Sequence, residues 1–166
     1  MINITITESL KKTLQNNTVL NKEYLPAYGG ESAGLDLYNA SGKSIKVYPS
    51  TYQSMSINID KKVMIPTGLK IVVPEGHVAL IQERGSITKT DLKVRAGVID
   101  IGYTGEIFIN CVNIGNKVYT INKDAKLPFQ LIVLKCDNQF NIVEESEYLE
   151  LSNKSIRKEG QVGSSD

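Results

Sequence analysis

Asp100 stands between Ile99 and Ile101 in an apolar run, Ala96 to Ile101, and Tyr103 follows three places later. A carboxylate among such neighbours must find donors or water, or its proton affinity rises. That environment suits a general base. The other reading is a turn residue whose carboxylate bonds its own backbone, and the stretch by itself leaves both open. Gly102 and Gly105 bracket Tyr103 and Thr104. They are expected to take positive φ in a tight turn. Ile107-Phe108-Ile109-Asn110-Cys111-Val112 follows, so the stretch from Val94 onward is expected to form a β-hairpin with an acid and an aromatic near its tip.

Other residues offer chemistry singly. Arg84 ends a strand-like run and could serve as a phosphate fork or as a surface ion-pair partner. Asp36 beside Gly34 reads as a strand-edge carboxylate. His77, the only histidine, sits in a Pro-Glu-Gly-His turn, which supports neither a zinc site nor a Ser/His triad. Cys111 and Cys136 lie in apolar runs without a CxxC spacing and are expected to be reduced, buried thiols.

The 166 residues suffice for one domain with its own core. A net charge of +1 excludes a broad basic field for duplex nucleic acid, though local cations could hold a small polyanion. No apolar run has transmembrane length, and the first residues lack the pattern of a signal peptide. The expected place is the cytoplasm, a host's if the chain is viral, with neither membrane nor nucleic acid as partner.

The elements that must position these residues are short. Ile2, Ile4 and Ile6 alternate with polar residues, which predicts a half-buried first strand. Residues 8–23 read as a local insertion or a short helix, because Leu10 and Leu14 are four apart and Asn16-Asn17-Thr18 breaks the pattern. Strands are expected at 35–38, 45–48, 52–59, 62–65, 69–73, 78–82, 117–122, 127–134 and 141–143. Pro66-Thr67-Gly68 and Pro74-Glu75-Gly76 separate three of them. Such spacing predicts an all-β sandwich or barrel.

Ala96-Gly97-Val98-Ile99-Asp100-x-x-Tyr103-x-Gly105 resembles the third motif of the trimeric deoxyuridine triphosphatases (dUTPases). Ala33-Gly34-Leu35-Asp36-Leu37, Arg84-Gly85-Ser86-Ile87, Pro128-Phe129-Gln130-Leu131-Ile132 and Arg157-x-Glu159-Gly160-x-x-Gly163-Ser164-Ser165 are similar to the first, second, fourth and fifth, in order. The resemblance spans about residues 25–166. It implies a distorted jelly-roll or β-barrel subunit in a homotrimer. A domain at 1–150 would be followed by an arm at 151–166 that closes a neighbour's site.

The implied reaction is hydrolysis of dUTP to dUMP and pyrophosphate, by water attacking the α-phosphorus in line. By the resemblance Asp100 activates the water, and Tyr103 packs under the deoxyribose, leaving no room for a 2′-hydroxyl. Backbone groups of Gly97, Val98 and Ile99 read uracil, whose O4 acceptor is opposite in sense to cytosine N4. Asp36 holds waters on a Mg²⁺ bound mainly by the triphosphate. Arg84, Gln130 and Arg157 contact phosphate, and Gly163, Ser164 and Ser165 wrap it. Lys126 replaces the fourth motif's arginine.

Besides Lys126, three positions depart from the family pattern. Gly85 stands where a serine usually contacts the leaving group, and Ser86, one place later, points to the opposite side if the strand persists. Gln161 replaces a glycine, and Val162 replaces the phenylalanine that stacks on uracil. These departures keep a second reading open, a nucleotide-binding or regulatory protein of the same fold with weak hydrolysis. A deaminase of dCTP, from the sister family, would need a glutamate where Asn110 stands.

Overall fold

The structure is a computed structural model that describes residues 2–16, 31–51, 62–137 and 140–154. The chain divides into two compact units, Met1–Cys136 and Asp137–Asp166. The first unit holds β1 (Asn3–Ile6), α1 (Glu8–Asn16), β2 (Leu35–Tyr38), β3 (Ile45–Val47), β4 (Lys62–Val72) and β5 (His77–Glu83). It continues with β6 (Leu92–Arg95), β7 (Val98–Ile99), β8 (Glu106–Asn113), β9 (Tyr119–Ile121) and β10 (Lys126–Lys135). One sheet has the order β1-β4-β8-β6, a second β2-β10-β5-β7, and β3 pairs with β9.

Alternation builds the core between the sheets. In β8, Ile107, Ile109 and Cys111 point inward and are buried, while Phe108 points outward. Leu37, Ile65, Leu69, Ile81, Leu127 and Phe129 join the same cluster. Burial pushes the Cys111 thiol up to about 12, so it stays protonated and unreactive at neutral pH. Cys136 is only half-buried, short of the burial expected for it.

Pro66-Thr67-Gly68 does not separate two strands as expected. β4 runs through it, with a register shift against β8 between Pro66 and Lys70. Two side chains repair the interrupted ladder. Thr67 Oγ1 donates to Ile107 O at 2.7 Å, and the Glu106 carboxylate accepts from Gly68 N at 2.8 Å. Gly68 has φ 67°, and a Cβ there would lie 2.7 Å from Thr7 Oγ1, so only glycine fits.

The helix foreseen within 8–23 is α1. It docks by Leu10, which is fully buried, and by Thr13 Oγ1, which donates to Asp124 Oδ1 at 2.9 Å. Ile2, just before β1, and Ile4 within it remain at least 40% exposed, so that strand buries less than its alternation promised. The strand expected at 52–59 lies outside the described residues. In the second unit, residues 141–143 form no strand, and α2 (Glu145–Ser152) follows them instead. No helix among the described residues is long and apolar enough to cross a membrane.

Candidate active site

The central stretch is not a simple hairpin. β6 and β8 pair within one sheet, but β7 crosses to the other and pairs with β5, Ile99 opposite Ala79 and Val98 opposite Leu80. Ala96, at φ 52°, marks the crossing. Gly97 follows because the chain runs hard against β5. Ile81 N donates to Gly97 O at 2.7 Å, and a Cβ on Gly97 would lie 2.8 Å from Ile81 O. Among the described residues β7 is the edge strand of its sheet, so its outward N–H and C=O groups have no neighbouring strand there among those residues.

Asp100 leaves β7 into a turn closed by Tyr103 N donating to Asp100 O at 3.0 Å. Gly102 and Gly105 do not have positive φ, contrary to expectation. Gly105 is there for space, since a Cβ would lie 2.8 Å from Tyr103 Cζ. The Tyr103 hydroxyl donates to Glu106 O at 2.6 Å, which fixes the ring. Asp100 is exposed rather than dry in the single chain. It lines an open cleft of about 210 Å³ with Tyr103, Val98, Ile99, Ala96, Ile81, Ile107, Met64 and Phe108. The walls are apolar apart from the carboxylate and the phenol, as suits a sugar and a base beside one reactive group.

A second cluster forms around Asp36 on β2. Its carboxylate takes Arg84 Nε at 2.5 Å on one oxygen and Lys126 Nζ on the other. Asp36 is buried, so the pair is shielded from solvent and the geometry is held. Tyr38, two places along, has its hydroxyl pushed up by burial and then by the Asp36 charge, while Arg84 opposes the shift. Gln130 on β10 stands opposite Asp36, and its Nε2 donates to Glu83 O at 3.1 Å. Gly34 makes room for Gln130, since a Cβ there would lie 2.8 Å from Gln130 Cδ.

Arg84 follows β5 directly, and Gly85–Lys89 is a 3₁₀ helix, so the strand does not persist into Ser86. Ser86 is exposed within that turn, and the expectation that strand alternation sets its direction does not hold. Gly85 has no positive φ, and a Cβ there meets nothing within 4 Å.

The structure does not bring the two clusters together within one chain. The register of β7 on β5 carries Asp100 toward Val78. From Val78 to Arg84 is about 20 Å at about 3.3 Å per residue of strand. Arg84 also reaches across β10 to β2, away from β7. Arg157, Val162, Gly163, Ser164 and Ser165 lie outside the described residues.

Met64 and Phe108 line the cleft and were not foreseen as site residues. The available signal was parity. Both are apolar at outward positions of strands whose inward positions are already filled by Val63, Ile65, Ile107 and Ile109.

The family model for dUTPase matches residues 21–166. The chain belongs to the dUTPase family. The deoxyuridine 5′-triphosphate nucleotidohydrolase of Escherichia phage T5 is 35% identical over 146 residues, covering 85% of this chain and 90% of that protein. The native dUTPase of EIAV superposes with a TM-score of 0.62 at 26% identity, covering 87% of this chain and 97% of its own. A variant of the Staphylococcus bacteriophage 80alpha dUTPase, solved with dUpNHpp, gives a TM-score of 0.69 at 22% identity and covers 99% of this chain and 98% of its own, a likeness of fold. The dUTPase jelly roll is thus the fold of this chain.

Proposed function

We propose that this chain hydrolyses dUTP to dUMP and pyrophosphate, at sites shared between copies of itself in a trimer. The observation that carries the reading is the cleft in which Asp100 and Tyr103 stand together in a chain of this family. Asp100 accepts a proton from a water, which attacks the α-phosphorus while the bond to the bridging oxygen breaks. The Tyr103 ring, fixed through Glu106 O, supports the deoxyribose. The outward edge of β7 presents backbone donors and acceptors to the pyrimidine. Arg84 and Lys126 supply charge for phosphate oxygens, and Gln130 supplies an amide beside them.

The run of about 20 Å along β5 from Val78, beside Asp100, to Arg84 exceeds what one nucleotide could bridge at its α-phosphorus. A second copy that places its Arg84 cluster against the first copy's cleft removes the gap. The second unit supports the same reading, because Phe140 and Ile142 are more than 90% exposed and α2 buries none of its residues. Apolar surface of that kind suits an arm docking on a neighbouring copy.

The residues fit a Mg²⁺ carried by the substrate better than one held by the protein. Among the described residues no three His, Cys, Asp or Glu side chains cluster, and both Asp36 oxygens face cations. Asp36 would meet the waters of such an ion, which would neutralise charge on the phosphates when bound.

Pyrophosphate release from dUTP with Mg²⁺ tests the reading. We expect turnover of dUTP with little from UTP or dCTP. No release from dUTP would refute it, and ammonia from dCTP would place the chain with the deaminases.

Two further results are expected. Gly85→Ser should raise kcat about tenfold to hundredfold. The added hydroxyl bonds a charged leaving group for about 1.5–3 kcal/mol if the bond strengthens in the transition state. Neither φ nor space opposes serine there. A lower rate in a folded variant would mean that this turn meets the phosphates differently. Truncation after Lys154, past α2, should leave the melting temperature unchanged and remove most of the activity with Arg157 and the Gly163-Ser164-Ser165 end. Full turnover in the truncated chain would exclude that end from the reaction.

A further inference from the structure

Phe108 and Met64 enter the Asp100 cleft from the outward face of β4 and β8, and neither has a role in the reaction derived above. Both are well exposed in the single chain, Phe108 at 40% and Met64 at 56%. Phe108 stands opposite Pro66 in the register, which flanks the ring with another apolar residue. Tyr103 is the other ring at the cleft, and its hydroxyl is tied to Glu106 O. Of the remaining phenylalanines, Phe129 is fully buried and Phe140 belongs to the second unit. Residues 149–166 contain no aromatic residue.

A pyrimidine has a polar edge and two apolar faces. An edge read by the backbone of β7 leaves the faces to side chains across the cleft. We propose that the Phe108 ring, backed by Met64, is the stacking face for the pyrimidine, so that this chain grips its base from the body of the subunit. The assignment rests on the dUTPase reading above and adds a residue that determines affinity for the base.

The test compares two ligands on the full-length chain, dUMP and 2-deoxyribose 5-phosphate, which lacks the base. Phe108→Leu keeps apolar bulk and removes the ring. We expect it to weaken dUMP binding about tenfold, the scale of a lost base–ring stack, and to leave the sugar phosphate unchanged. Phe108→Trp restores a ring and should restore dUMP affinity. Equal losses for both ligands would mean that Phe108 shapes the cleft generally, and would overturn the assignment. A changed mass of the assembly in Phe108→Leu would also overturn it, in favour of a contact between copies. Unchanged dUMP affinity in a chain that still hydrolyses dUTP would overturn this assignment alone. A native chain that neither binds dUMP nor hydrolyses dUTP would remove the underlying reading as well.

Discussion

Asp100→Asn is expected to lower kcat for dUTP about 10²–10⁴-fold while dUMP still binds. The change keeps the shape of the side chain and removes its basicity. It also separates the two readings of Asp100. The turn is closed by the main chain, Tyr103 N to Asp100 O at 3.0 Å, and needs no carboxylate. A base should therefore lose rate with little loss of stability. A turn-forming side chain should do the reverse, so a rate loss below tenfold with a lowered melting temperature would remove Asp100 from the chemistry.

Mixing two inactive chains gives the other large effect. Asp100→Asn lacks the proposed base, and Arg84→Gln lacks the proposed phosphate fork on the other cluster. Each alone should be nearly inert. If base and fork come from different copies, co-refolding equal amounts should restore about a quarter of native activity, since random assembly joins an intact half from each in about one site of four. The restored species should have a mass near three times 18.3 kDa. A mixture as inert as its parts would mean that Asp100 and Arg84 act within one chain.

Much of the candidate site was legible because its residues lie in local runs. The stretch from Ala96 to Gly105 marked the cleft, and Gly34, Gly97 and Gly105 are each explained by a close approach. What failed depended on distant partners. Pro66-Thr67-Gly68 looked like a break, but Glu106 and Ile107, some forty residues later, both accept the hydrogen bonds that keep β4 continuous. Gly102 and Gly105 suggested positive φ, yet the turn closes without it and Gly105 yields space to a ring. Ser86 followed the strand pattern on paper, while Ile87 N donating to Arg84 O at 2.9 Å winds it into a 3₁₀ turn. Phe108 and Met64 were invisible as site residues because only pairing shows which strand faces share a cleft.

The distance between the Asp100 cleft and the Arg84 cluster also bears on dilution. If each site is completed by a neighbour, as proposed, it obeys mass action, and specific activity becomes a function of total chain concentration. A nucleotide that touches two copies favours the joined state by linkage, and the equilibrium shifts with substrate as it would with more protein. Scarce chain would then be recruited into working assemblies when its nucleotide accumulates, and would fall apart into idle subunits when the nucleotide is spent.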